Sequence, residues 1–486
     1  MAFTTEQADR FIQENKLLVR SDYRLNYHLM GEYGWINDPN GFIHYNDVYH
    51  LFYQYHPYSA KWDNMHWGHA VSTDLVRWEY LPVALAPGEG FDKDGCFSGS
   101  AIEYDGKLVL MYTGHLKTGA EGSYVQEQGI AVSDNGVTFR KWEGNPVISS
   151  DHVPSGVSRK DFRDPKVFMR DGNYYVVLGS NDGSGNGLIL LYRSMNLRKW
   201  EFVSVMAKGN GELGDNWECP DLFSLGASDV LIMSPQRVPA QENDFQNLHS
   251  TVYMIGKLNT ENGNFKYDTY YPIDYGFDFY APQTTQDSKG RTIIVAWMDM
   301  WESGMPTQDG HGWAGAMTLP REVELAGERL YFKPAAEIER YRRNHNEIRD
   351  VTLNGEWETA LAGTSYELQV VIDAMDAQEF GLKVRTNGTD ETVLTYSVAE
   401  QLFIMNRNRS GIGPGGERRT FVKLAEGTLK LRIFVDLCSI EVFIQDGEKV
   451  MTSRIYPDAG AEGIKLYAKG ECKVVTLNKW DLAVEE

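Results

Sequence analysis

The sequence predicts an all-β protein, a five-bladed β-propeller followed by a C-terminal β-sandwich. Three recurring features carry that prediction. Strand-opening segments recur as Asp38-Pro39-Asn40-Gly41-Phe42, Phe97-Ser98-Gly99-Ser100-Ala101, Asp164-Pro165-Lys166-Val167-Phe168, Pro220-Asp221-Leu222-Phe223 and Ala281-Pro282-Gln283-Thr284. With Pro39, Gly99, Pro165, Pro220 and Pro282 as markers, the spacings are about 60, 66, 55 and 62 residues, a blade-sized period. A turn rich in Asp, Asn and Gly and a second apolar strand follow the openings, as in Val48-Tyr49-His50-Leu51-Phe52-Tyr53 and Tyr174-Tyr175-Val176-Val177-Leu178. The third mark is a turn leading to an aromatic plug: Ser72 to Trp78, Ser133 to Phe139, and Ser194 to Trp200.

Taken in chain order, residues 4–20 read as a short amphipathic helix. Thr4 and Gln7 fit a capping box, and Ala8, Phe11, Ile12, Leu18 and Val19 recur near helical spacing. The five repeats follow. Residues 334–345 are polar and helix-prone, a connector. Beyond about 350 the strands at 366–371, 429–435, 440–444 and 464–467 lack the earlier motifs and predict a sandwich packed on the propeller. The expected segments are therefore an N-terminal helical extension over residues 1–30, the propeller over 31–335, a linker over 336–349 and the sandwich over 350–486.

Composition narrows the partners. A formal charge of -21 over 486 residues disfavours nucleic acid and anionic membranes, whose phosphates such a surface repels. No stretch approaches eighteen consecutive apolar residues, so no membrane span is expected. The first ten residues hold no basic segment followed by an apolar run, and the four cysteines form no disulfide framework. The expectation is a cytoplasmic protein acting on a small molecule, with a homodimer left open.

The chemistry lies in three acids. Asp38, Asp164 and Glu218 each stand within two residues of a proline at the start of an innermost strand, where a propeller opens its central channel. Three carboxylates in one funnel repel unless their environments differ, which suits the paired carboxylates of glycoside cleavage. A separation of about 5–5.5 Å supports retention and about 6.5–9.5 Å inversion. Glu218, between Trp217 and Cys219-Pro220, has an aromatic, partly desolvated setting that would keep it protonated as a general acid. Asp38 among Asn37, Asn40 and backbone amides, and Asp164 beside Arg163, are expected to stay ionised. Aromatic residues supply faces for sugar C–H groups, among them Trp35, Trp62, Phe97, Tyr280 and Trp297, with Trp62 set apart by its polar loop. Histidines 56, 66, 69 and 115 lack zinc-ligand spacing, so no metal is expected. Neither the Asp92-Lys93-Asp94-Gly95 turn nor the glycine-rich 181–187 loop reads as an ion or phosphate site.

At these residues the chain resembles glycoside hydrolase family 32, the β-fructofuranosidases. Trp35-Ile36-Asn37-Asp38-Pro39-Asn40-Gly41 is similar to the family's nucleophile motif, Arg163-Asp164-Pro165 to its stabiliser motif and Glu218-Cys219-Pro220 to its acid/base motif. Gln54, Trp62 and Phe97-Ser98-Gly99-Ser100 match positions that line the family's fructose pocket, and Phe434-Val435-Asp436 with Ser439-Ile440-Glu441 resembles its sandwich signature. The resemblance implies Asp38, Glu218 and Asp164 as catalytic residues. Asn37, Gln54, Trp62, Phe97, Ser98, Arg163 and Trp297 complete the candidate substrate-binding set. It further implies a retaining mechanism without a cofactor, acting on sucrose or sucrose 6-phosphate, or alternatively on short fructo-oligosaccharides with fructosyl transfer as a side activity. An inverting arabinose- or xylose-cleaving propeller enzyme and an inactive sugar-binding module are the competing readings.

Overall fold

The computed structural model describes residues 3–119 and 122–484; the first two residues of the expected N-terminal segment and the last two of the expected sandwich lie outside the described residues. Four-stranded antiparallel sheets form the blades. Their innermost strands are Gly34–Tyr45, Cys96–Tyr104, Phe162–Arg170, Asn216–Leu225 and Tyr280–Gln286 for blades I to V. Each innermost strand touches the next, and that of blade V returns to that of blade I, so the ring is closed. The two-residue strand Trp313–Ala314, which lies between the second and third strands of blade V, pairs in parallel with Gly34 and Trp35 and ties the last blade to the first.

The repeated turns are built alike. Asp74 Oδ1 accepts from the amides of Val76 and Arg77, Asn135 Oδ1 from Val137 and Thr138, and Asn196 Oδ1 from Arg198 and Lys199. A short side-chain acceptor that mimics a backbone carbonyl is what Asp or Asn supplies in such turns. Facing blades then bury apolar residues between them, for example Val176, Leu178, Leu190 and Tyr192 of blade III against Val109, Met111 and Ile130 of blade II.

The N-terminal helix spans Thr5–Asn15, shorter than the 4–20 expected from periodicity, and ends in a 3-10 turn at Lys16–Leu18. Its capping box forms as read from the sequence: Thr4 Oγ1 accepts from the Gln7 amide and Gln7 Oε1 from the Thr4 amide, both at 3.2 Å. Ala8 and Ile12 are buried against blade I, and Asp9 Oδ1 accepts from the Val83 amide at 2.8 Å.

The expected linker is shorter than its polarity suggested. Only Ala336–Tyr341, a 3-10 helix, joins the domains, and strand Arg342–Ala362 begins at once. Its first residues are mostly exposed and polar, yet pairing with Gly463–Leu482 holds them extended. These two long strands belong to both leaves of the sandwich. Residues 463–469 pair with Glu379–Thr386, residues 473–481 with Tyr366–Asp373, and the chain bends between them at Gly470, where φ is +90°. A Cβ there would stand 2.9 Å from Ala377 Cα, so glycine is required. The leaves close over Leu368, Val370, Leu382, Leu394, Ile433, Val442 and Leu466.

The two domains share a buried seam. Phe434, Phe443 and Val450 of the sandwich pack on Ile273, Phe279 and Phe332 of the propeller. Asp436 and Glu441, from the sandwich signature, accept from the two ring nitrogens of His28 at 3.1 and 3.0 Å, and Glu441 also pairs with Arg321 at 2.7 Å. Among the described residues no helix is long and apolar enough to cross a membrane. All four cysteines are free thiols.

Candidate active site

The site follows from one irregularity repeated five times. In every blade the innermost strand slips register against its neighbour at the marker position, between Ile36 and Pro39, Phe97 and Gly99, Arg163 and Lys166, Glu218 and Asp221, and Tyr280 and Gln283. Such bulges re-aim the side chains beside them. In blades III to V the residue before the proline has positive φ: Asp164 at 63°, Cys219 at 46° and Ala281 at 51°. Non-glycine residues held there carry strain of about 1–3 kcal/mol each, a cost met at functional sites.

Because the five bulges coincide, successive positions form successive rings around the axis. Two residues before the marker stand Asn37, Phe97, Arg163, Glu218 and Tyr280, and all five line one cavity of about 440 Å³. One residue before it stand Asp38, Ser98, Asp164, Cys219 and Ala281; the first three reach the same cavity. One residue after it stand Asn40, Ser100, Lys166, Asp221 and Gln283, which bind blade to blade. Asn40 Oδ1 accepts from the Gly99 amide, Ser100 Oγ from the Val167 amide, and Gln283 Nε2 donates to the Gly99 carbonyl. Lys166 Nζ lies 2.9 Å from Asp221 Oδ2, which also accepts from the Thr284 amide.

The three acids therefore meet. Cys219 Sγ lies 3.6 Å from both Asp38 Oδ2 and Asp164 Oδ2, and Glu218 is its chain neighbour. Asp38 accepts from Ser98 Oγ at 2.7 Å and from Asn37 Nδ2 at 3.1 Å, and Trp35 Nε1 fixes Asn37 by donating to Oδ1 at 2.8 Å. Asp164 Oδ2 accepts from the Cys219 amide at 2.9 Å.

Burial alters the electrostatics of the two aspartates. It raises the Asp38 carboxyl from its ordinary value, and the donors Ser98 and Asn37 partly oppose it. Burial likewise raises Asp164 to about 7, against the nearby Arg163 and helped by the charges of Glu218 and Asp38. The sequence placed Arg163 beside Asp164 and so expected a firmly ionised acid. In space the closest approach is 3.9 Å, and the guanidinium turns to Glu218 instead, at 2.9 and 3.2 Å to Oε1. Glu218 also departs from its expected aromatic setting. Besides Arg163 it accepts from Gln236 Nε2 at 2.8 Å and Tyr280 OH at 2.6 Å.

Of the candidate substrate-binding residues, Asn37, Gln54, Trp62, Phe97, Ser98 and Arg163 line the cavity. Trp297 does not. Its ring is fully buried behind Trp35 and Trp301, 5.9 and 4.9 Å away, at the end of strand Thr292–Trp297. The ring at the cavity is Trp301, 40% exposed, in the loop beyond that strand. Sequence reasoning also passed over His115, Tyr124, Gln126, Gln236 and His249 as cavity-lining residues. Two of these were within reach. His115 and Gln236 lie two residues beyond the partners of Phe97 and Glu218, equivalent points of the second strands in blades II and IV.

Profiles of known families match almost the whole of this scaffold. The glycosyl hydrolases family 32 N-terminal domain matches residues 28–334 and the family 32 C-terminal domain residues 337–481. The chain belongs to glycosyl hydrolase family 32. Among the relatives of this family member, a sucrose-6-phosphate hydrolase of Escherichia coli is 40% identical over 455 residues, covering 91% of each chain. A raffinose invertase of Escherichia coli is 40% identical over 449 residues, again with 91% coverage of each. A family 32 beta-fructofuranosidase variant of Bombyx mori, solved in complex with sucrose, superposes with a TM-score of 0.88 at 36% identity, covering 99% of this chain and 98% of that one.

Proposed function

We propose that this family 32 hydrolase is a retaining β-fructofuranosidase that cleaves the β-fructofuranosyl bond of sucrose or sucrose 6-phosphate and releases fructose. One observation carries the reading: Asp38, Asp164 and Glu218 converge around Cys219 at the wall of a single cavity. The likeness to enzymes named for sucrose 6-phosphate and to a structure holding sucrose supports the substrate class.

In this reading the Asp38 carboxylate attacks the anomeric C2 of the fructosyl unit as the C2–O bond to the leaving sugar breaks. Glu218 gives its proton to the departing oxygen. Water then surrenders a proton to Glu218 and attacks C2, which frees fructose and restores the Asp38 carboxylate. Ser98 and Asn37 orient Asp38 for the attack. Positive charge building on the fructosyl ring favours the ionised form of Asp164, which would grip ring hydroxyls where the charge is greatest. Trp62, 46% exposed beside Phe97, and Trp301 offer ring faces to the sugar at the mouth. An intracellular site of action belongs to the same reading, supported by four free thiols.

The deciding experiment compares kcat/KM for sucrose, sucrose 6-phosphate and 1-kestose. A tenfold lead for the phosphorylated sugar, about 1.4 kcal/mol of transition-state binding, assigns the enzyme to sucrose 6-phosphate. Parity or a lead for sucrose makes it an invertase, and a lead for 1-kestose moves it to oligofructosides. Turnover of none of the three defeats the reading. Methanol as acceptor should give methyl β-fructofuranoside, since two displacements at C2 retain configuration.

A further inference from the structure

Two segments of blade V complete the cavity wall beside Glu218, and both are held from the other domain. Asp278 precedes Tyr280 by two residues, and Asp299 precedes Trp301 by two; Tyr280 and Trp301 line the cavity. Both aspartates are buried. Their partners are arginines of the sandwich. The Arg454 guanidinium is ion-paired with Asp299 and lies 3.3 Å from Asp278 Oδ1, while its backbone amide donates to Asp278 Oδ2 at 2.8 Å. Arg407 Nη1 reaches Asp278 Oδ2 at 2.6 Å. Within the Trp301 loop itself, Arg454 donates to Ser303 Oγ at 3.0 Å and Arg418 lies 3.6 Å from Glu302.

Buried ion pairs of this kind add little net stability over an apolar replacement, because the desolvation of both partners offsets their attraction. What they supply is geometry. The Trp301 loop lies outside the blade strands, so its ladder hydrogen bonds cannot fix the ring. A displacement near 1 Å at a reacting sugar costs up to about 10²-fold in rate.

We propose that Arg454 of the C-terminal domain is a positioning residue for the sugar site, setting Tyr280 and Trp301 at the cavity wall through Asp278 and Asp299. The C-terminal domain thereby takes part in substrate recognition without touching the sugar. The proposal rests on the β-fructofuranosidase reading for its kinetic readout alone.

The test uses full-length Arg454→Met, Arg454→Lys and Ser303→Ala proteins. Acrylamide quenching of Trp301, taken as the difference between each protein and its Trp301→Phe counterpart, reads the ring's position without substrate. Kinetics on sucrose follow. Arg454→Met should raise Trp301 quenching and lower kcat/KM by about tenfold, with KM carrying the larger share. Arg454→Lys should recover part of both losses. Ser303→Ala, at the half-buried loop and safe for folding, should raise KM by about threefold with kcat unchanged. A folded Arg454→Met protein with wild-type quenching and kcat/KM overturns the proposal. Should that variant not fold, unchanged quenching and KM in Ser303→Ala overturn it instead. Absence of sucrose turnover in the wild type strikes the functional reading and leaves the quenching comparison to decide this one.

Discussion

Tyr280 donates its hydroxyl to Glu218 Oε2 at 2.6 Å, and the two residues hold equivalent positions in neighbouring blades. Arg163 holds the same position in the blade before and grips the other oxygen. The proton-handling acid is thus oriented by its own repeats, one on each side. Tyr280→Phe keeps the ring and removes the donor, so kcat/KM on sucrose should fall by about tenfold to a hundredfold while melting changes little. Unaltered kinetics would reduce the contact to packing.

Asp38→Asn should abolish turnover, by about 10⁴-fold or more, because an amide cannot form the fructosyl ester. The side chain keeps its shape and both neighbours, Ser98 and Asn37. Circular dichroism and melting should therefore match the wild type. Near-normal hydrolysis of sucrose by this variant would sink the nucleophile assignment.

Asp164 makes a prediction about stability. Its carboxyl titrates near 7 in the folded protein against 3.8 for an unperturbed aspartate, so folding favours the protonated form. The stability from this preference is fully present below pH 3.8 and is lost as pH rises through about 7. Asp164→Asn holds the site neutral at every pH and retains an acceptor for the Cys219 amide. It should melt several degrees above the wild type at pH 8 and near it at pH 4, while losing most activity. A variant no more stable at pH 8 than at pH 4, relative to wild type, contradicts the burial argument.

His28 acts in the opposite part of the pH range. Burial alone would lower its pKa, but its hydrogen bonds to Asp436 and Glu441 outweigh that and raise it from 6.5 to about 9. Stability from the charged ring is complete below pH 6.5 and disappears as pH climbs through about 9. His28→Gln leaves the buried Asp436 without its cation, while Glu441 keeps Arg321, and should cost about 3 kcal/mol at pH 6. The gap in melting temperature between variant and wild type should close by pH 10. A gap that stays constant with pH would mean the ring contributes packing rather than charge.

Much of this was legible because a closed propeller is repetition. Pro39, Gly99, Pro165, Pro220 and Pro282 mark equivalent bulges, and equivalent bulges around one axis must deliver neighbouring side chains to one place. The convergence of Asp38, Asp164 and Glu218 follows from spacing alone. The capping box at Thr4 and the turns at Asp74, Asn135 and Asn196 are equally local, set by a side-chain acceptor a few residues from its donor. The polar start of strand Arg342–Ala362 misled because its extension comes from pairing with a strand more than a hundred residues away.

By itself, then, the sequence determined the blades, their order and which acids face the axis, since each rests on a local pattern repeated at a fixed period. Only the tertiary structure decided what surrounds those acids. Arg163 is next to Asp164 in the chain but bonds to Glu218 across a blade boundary, and burial lifts Asp164 to about 7. Trp301 rather than Trp297 lines the cavity, because the Trp297 ring is fully buried against Trp35 and Trp301. Arg454 meets Asp299 from another domain. Contacts between segments far apart in the chain depend on how whole sheets twist and pack, and no window of sequence encodes that.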